Sequence, residues 1–178
     1  EDLHLVSLHL NEAALGTGDY LLSQDRLVIS NVPRQFRLEI ETAIKPHENT
    51  ALEGLYQSGN ILCTQNEPEG FRHITYFPDR SDVMSVYTTS IEADLEQCPI
   101  LLANGNEVER RQLDNGRHMV KWHDPFAKPC YLFALVAGDL GLAEDAFTTM
   151  SGREIAIRFF IDKGNESRCG HAIDSLKS

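Results

Sequence analysis

The sequence predicts a mainly β fold built of short antiparallel strands. Three observations carry that expectation: runs alternating apolar and polar residues, Asn-Gly turns between such runs, and a single helical spacing confined to the residues after Asn165. Residues 3–10 alternate and are closed by the turn residues Asn11-Glu12 and Gly16-Thr17-Gly18, so they read as a strand and a loop. A second strand is expected at 26–30, ended by Asn31-Val32-Pro33. Residues 36–41 alternate strictly between apolar and charged side chains, as in a strand with one buried and one wet face.

From Pro46 to Phe77 the alternation gives way to Gly, Asn, Gln, Glu and aromatic residues, and a long structured loop region is expected. Residues 86–93 return to β-favouring types. The run 100–103 leads into Asn104-Gly105-Asn106, a strong hairpin signal that Asn115-Gly116 repeats, so 107–113 and 117–123 are expected as strands of a meander. Residues 131–137 are an apolar run suited to a strand buried on both faces. A domain boundary is placed near Asp139, dividing a β domain (1–139) from a second unit (140–178). In the second unit Ser151-Gly152-Arg153 joins a hairpin, and Ala172, Ile173 and Leu176 fall on one helix face behind an N-cap at Asn165.

Composition narrows the function. Hydrophobic residues make up 42% and charged residues 24% of the 178, as in ordinary globular proteins. A net charge of -11 repels polyanions, so neither nucleic acid nor an anionic membrane is an expected partner. No apolar run approaches the roughly 20 residues that span a bilayer. The start, Glu1-Asp2-Leu3-His4, lacks the basic and apolar regions of a signal peptide. Cys63, Cys98, Cys130 and Cys169 are widely spaced with no Cys-x-x-Cys pair, and are expected to be reduced thiols of a cytoplasmic chain. The start without Met and the helical pattern reaching Lys177-Ser178 suggest that both ends are cut from something longer.

No metal site is expected within the chain. His73, His118, His123 and His171 stand in no His-Glu-x-x-His, His-x-His or Cys/His cluster of ligand spacing. His118 and His123 are five apart on an expected strand, hence on opposite faces. Cys169-Gly170-His171 is better read as packing at a helix start. There is no Gly-x-Ser-x-Gly elbow and no Gly-rich phosphate loop before a helix. The pair Glu67 and Glu69 offers a general acid and base on one reading and an exposed acidic loop on another, and residues alone favour the second.

A longer pattern says more. Ala51-Leu52-Glu53-Gly54-Leu55-Tyr56-Gln57-Ser58-Gly59 is followed by Leu62-Cys63-Thr64-Gln65-Asn66-Glu67-Pro68-Glu69-Gly70-Phe71-Arg72-His73-Ile74-Thr75-Tyr76. Further on come Asp124-Pro125-Phe126-Ala127-Lys128-Pro129-Cys130 and Val136-Ala137-Gly138-Asp139. Together these closely resemble the bacterial aminopeptidase N family, from Ala51 nearly to the end of the chain. The resemblance implies a saddle-like antiparallel β-sandwich N-terminal domain ending at Val136-Ala137-Gly138-Asp139. Residues from about Leu140 would then be the first strands and helix of a thermolysin-like catalytic domain.

It also implies a role for Gln65-Asn66-Glu67, the family's Gln-x-Glu element, on a loop reaching into the catalytic cleft. Glu67 would bind the free α-amino group of a peptide substrate, and Gln65 would line the first side-chain pocket. The full-length parent would use zinc to hydrolyse the N-terminal peptide bond. Its Gly-Ala-Met-Glu-Asn stretch, zinc-binding His-Glu-x-x-His helix and transition-state Tyr would lie beyond Ser178, so no catalytic or metal-binding residue is assigned in this chain. Ser81 departs from the Pro many relatives carry after Asp-Arg, a matter of turn rigidity. The alternative is a stand-alone β-sandwich binding or scaffold module, distinguished by whether the reading frame runs on into His-Glu-x-x-His.

Overall fold

The computed structural model describes residues 3–23 and 26–177, so the ends expected at Glu1 and Ser178 lie outside the described residues. In chain order the strands are β1 (His4–Leu10), β2 (Ala13–Ala14), β3 (Tyr20–Leu22), β4 (Leu27–Ile29), β5 (Leu38–Ala43), β6 (Gly54–Ser58) and β7 (Ile61–Gln65). Then follow β8 (Ser85–Asp94), β9 (Ile100–Ala103), β10 (Asn106–Gln112), β11 (Arg117–Lys128), β12 (Leu135–Gly138), β13 (Leu140–Thr148) and β14 (Glu154–Asp162), before α1 (Gly170–Lys177). The pairings are antiparallel, in sheets ordered β2-β1-β5, β10-β11-β8 and β6-β7-β12-β9, with β3-β4 and β13-β14 as two-stranded ribbons. The mainly β fold is therefore as the sequence predicts.

The core explains why two of these sheets form a sandwich. Ile91 of β8 and Val120 of β11 meet Leu101 of β9 and Ala137 of β12, with Leu62, Leu135 and Trp122 packed around them. Leu101 and Val120 are fully buried. The Trp122 indole N–H donates to the Leu101 carbonyl at 3.1 Å, so the largest ring at this junction also ties one sheet's main chain to the other. Beside them, the His118 ring is hydrogen-bonded to the Cys98 carbonyl at 2.7 Å. In β1 a bulge between Leu5 and Ser7 shifts the alternation, so that Leu8 is buried and Val6 is exposed.

Several expectations are corrected. The region 46–77 is not a continuous loop: it holds the hairpin of β6 and β7, paired from Gly54↔Gln65 to Ser58↔Ile61. Its strands, Gly-Leu-Tyr-Gln-Ser and Ile-Leu-Cys-Thr-Gln, mix apolar and polar residues without strict alternation, and β7 pairs on its other side with β12. Asn104-Gly105-Asn106 does not close a hairpin, because β9 pairs with β12 whereas β10 pairs with β11. The chain changes sheets there, and Gly105 (φ +88°) is required by close approach: a Cβ would lie 2.6 Å from Asp124 Cα. The Asn115-Gly116 turn does join β10 to β11, with positive φ at both residues.

The apolar run 131–137 is only partly strand. Cys130–Leu132 forms a 3-10 turn, and β12 begins at Leu135 as an inner strand between β7 and β9. Toward the end, a 3-10 turn (Glu166–Cys169) precedes α1, the Asn165 side chain makes no capping hydrogen bond, and Leu176 is exposed rather than on a buried face.

Because Leu101 is fully buried where four strands meet, Leu101→Ala should cost about 2–5 kcal/mol. The measurement is urea denaturation of the purified chain, expected to show a lower midpoint with an unchanged slope.

Candidate substrate-binding loop

β7 ends at Gln65, and the chain turns back over residues 66–70, closed by the Gly70 N–H donating to the Asn66 carbonyl at 3.1 Å. The turn places Glu69 at φ +86°, a left-handed conformation costing about 1–2 kcal/mol for a residue with a Cβ. Gly70 follows because nothing larger fits: a Cβ there would lie 2.7 Å from Asn66 Cα and closer still to the Gln65 carbonyl. Strand alternation carries across the turn's start. Gln65 and Glu67 are exposed, whereas Asn66 between them is only 3% exposed.

Three sets of contacts hold this turn to one segment, 130–135. At its start, Asn66 Nδ2 donates to the Phe133 carbonyl at 2.7 Å, and the Leu135 N–H donates to Thr64 Oγ1 at 2.9 Å. At its end, Phe71 is buried and its ring meets that of Phe133 edge-on at 5.2 Å, with Phe77 and Tyr87 completing an aromatic cluster. The third set is electrostatic. The buried Asp79 carboxylate accepts from the Arg72 N–H (3.0 Å), from Arg72 Nε (3.1 Å) and from the Cys130 thiol (2.9 Å). Arg72 Nη1 also reaches back to Glu69 at 2.9 Å, so Glu69, Arg72, Asp79 and Cys130 form one connected chain.

Charge states follow from these contacts. Burial by itself would raise the Asp79 carboxyl, but the Cys130 thiol and the Arg72 amide and guanidinium outweigh it and hold it below the ordinary carboxylate range. Cys130 moves the other way: burial, and then the adjacent Asp79, push its thiol up to about 12. It is a neutral donor near pH 7 and not a nucleophile.

The two acidic residues of the turn are not equivalent. Glu69 is paired with Arg72, whereas the Glu67 carboxylate has no hydrogen bond or ion pair among the described residues. Gln65 Nε2 donates to the Glu67 main-chain carbonyl at 3.2 Å, which leaves its Oε1 and one N–H for other use. Asn66 is asymmetric too: its Oδ1 is buried without a partner. Leaving such an acceptor unmet costs about 1–3 kcal/mol, at least as much as the ~1 kcal/mol a single hydrogen bond returns.

Several side chains of ligand type are already engaged elsewhere. His118 faces the Cys98 carbonyl, His123 Nδ1 bonds Thr88 Oγ1 at 2.9 Å, His73 pairs with Glu53 at 3.2 Å, and the Cys130 thiol is engaged by Asp79. Among the described residues no three His, Cys, Asp or Glu side chains converge as ligands would.

With this geometry in hand, comparison with known proteins places the chain. The family model described as "Peptidase M1 N-terminal domain" matches residues 19–132, well over half of the sequence. The chain belongs to that family. Among curated relatives, this M1 N-terminal chain is 55% identical over 178 residues to aminopeptidase N of Escherichia coli K12 and 54% identical over 177 residues to aminopeptidase N of Caulobacter vibrioides. It spans about a fifth of their length, 20% in each case. Among solved structures, Legionella pneumophila aminopeptidase A in complex with aspartic acid superposes with a TM-score of 0.95 at 40% identity, covering 99% of this chain and 21% of that one. An M1 zinc metallopeptidase of Deinococcus radiodurans, at 15% identity and a TM-score of 0.74 over 91% of this chain and 38% of that one, shares the fold.

Sequence reasoning singled out Gln65 and Glu67 and passed over the residues that hold them. Asn66 was within reach, since alternation puts it opposite its two neighbours. The contact between Asp79 and Cys130 was not, because it joins residues 51 apart in sequence.

A raised folded-state thiol pKa means that the Cys130 contact stabilises fully below the unfolded thiol value of about 8.5 and is lost as pH climbs toward about 12. At pH 8, alkylation of the folded chain mapped by mass spectrometry should leave Cys130 unmodified while half-buried Cys63 reacts. Equal rates at the two thiols would contradict the buried Asp79 contact.

Proposed function

We propose that this chain is the N-terminal part of a zinc aminopeptidase that removes N-terminal residues from peptides, and that it supplies the scaffold and the loop gripping the substrate's free amine. The observation that carries the proposal is the difference between two carboxylates: Glu69 is spent on Arg72, while Glu67 stands exposed and unpaired on a turn anchored at three places. An anionic group held still at a fixed point suits an α-ammonium. A charge-assisted hydrogen bond of that kind is worth about 1.5–3 kcal/mol. Peptides with a blocked N-terminus lack the positive charge and would lose this term, which makes the activity one of trimming from the end.

Gln65, beside Glu67, presents the free carbonyl and N–H of its amide to the first side-chain pocket. The names of the relatives support the class of reaction, and the zinc named for the Deinococcus radiodurans relative supports a zinc site in the rest of the parent. The β domain is taken to end at Asp139. Two things support that: the family match stops at 132, and among the described residues β13 and β14 pair only with each other. Leu142, Met150 and Leu176, exposed on the elements after that point, suit cover by the remainder of the catalytic domain in cis. A cytoplasmic location fits four unpaired thiols, and no helix among the described residues is long and apolar enough to cross a membrane.

In the full-length parent, Glu67→Ala should lower kcat/KM for an aminoacyl p-nitroanilide by about 10–100-fold, the kinetic equivalent of losing one charged contact, with zinc content unchanged. Activity near wild type would refute the amine-anchor role. The purified 178-residue chain, assayed alone, is expected to give no turnover sensitive to chelators.

A further inference from the structure

We infer that Asn66 is the positioning residue of this loop: its side-chain hydrogen bond to the Phe133 carbonyl sets where Glu67 stands relative to the ladder that ends at Gln65, a role that rests on the reading of Glu67 as the amine anchor. Asn66 lies between the two exposed residues and is itself buried, with Nδ2 meeting the Phe133 carbonyl at 2.7 Å. Phe133 also receives the far end of the turn, through its ring contact with Phe71 at 5.2 Å. Both ends of the 66–70 turn therefore rest on one residue, and the Asn66 bond is the directional one of the two. Ring contacts tolerate sliding; a hydrogen bond between an amide and a carbonyl does not.

A purely structural role accounts poorly for the rest of the side chain. A residue retained for packing would have both ends of its amide satisfied or would be apolar, yet Asn66 Oδ1 is buried with no partner. The unpartnered oxygen offsets part of what the bond contributes to stability, while the donor reaches the main chain of a segment 67 residues away. Without that donor, the turn keeps its own Asn66–Gly70 closure and its Phe71 anchor but can pivot between them. Glu67 is the next residue along and takes the displacement directly. A contact between a carboxylate and an ammonium is weakened sharply by movements of about 1 Å.

The test uses the full-length parent with an aminoacyl p-nitroanilide, comparing wild type, Asn66→Leu, Glu67→Ala and the double variant. Leucine keeps the branched four-atom outline of asparagine while removing both the donor and the unpartnered oxygen. N66L is expected to raise KM about tenfold with kcat within about threefold, the pattern of lost ground-state and transition-state binding alike. The melting temperature should fall by no more than about 5 °C, since loss of the orphaned oxygen partly offsets the Phe133 carbonyl left without its donor. In the E67A background N66L should change KM by less than about twofold, because the group it positions is gone. Should N66L fail to fold, Asn66→Ala carries the same comparison. An unchanged KM in N66L while E67A is impaired overturns the positioning role and leaves the amine anchor standing, as does an equal N66L effect with and without Glu67. An E67A variant with wild-type kinetics overturns both.

Discussion

Residues 132–135 leave the end of β12 with main-chain groups that strand pairing alone does not meet, and the candidate site depends on how those groups are satisfied. Buried N–H and C=O groups must find partners, and here the partners are side chains. Asn104 donates to the Leu132 carbonyl at 3.0 Å and accepts from the Ala134 N–H at 2.7 Å; Asn66 takes the Phe133 carbonyl and Thr64 the Leu135 N–H. Substituting side chains for main chain keeps the hydrogen-bond account closed while separating β7 from its neighbour. The chain can then leave the sheet at Gln65 without exposing an unmet edge.

The same segment receives the electrostatic contacts. Cys130 and Phe133 are three residues apart on a 3-10 turn, so a thiol facing Asp79 and a carbonyl facing Asn66 come from one rigid piece of backbone. Asp79 is a buried charge kept ionised by two kinds of donor, one charged and one neutral. Removing either would leave the carboxylate under-satisfied in a largely buried position. Arg72 passes that constraint on to Glu69. A turn held this firmly has little freedom left to lose, which would keep low the entropic cost of any binding proposed for it.

Elsewhere the sandwich serves as support. Its core is small, and the edge strand β10 is exposed along its length and laced with ion pairs, Arg110 to Glu107 at 2.8 Å among them. Charges along an open edge discourage pairing with a second chain. The face that presents the 65–67 turn is set instead by β7 and β12, the two inner strands of the four-stranded sheet.

A family resemblance pointed to residues 65 and 67; the sequence by itself determined the class of fold, most strands with a clear alternation and the helix at the end. These are local matters: a period of two, an Asn-Gly turn or a motif is written in neighbouring residues. It did not reveal the β6–β7 hairpin, whose residues do not alternate and whose second strand pairs with the distant β12, and it mistook Asn104-Gly105-Asn106 for a hairpin when the glycine was needed to pass over the β11 main chain. Tertiary structure alone decided which of two nearby glutamates is free, because Glu69 is claimed by an arginine that is itself aimed by Asp79. It also decided that Asn66 rests on Phe133. Both results depend on contacts between residues far apart in the chain, and no local pattern records them.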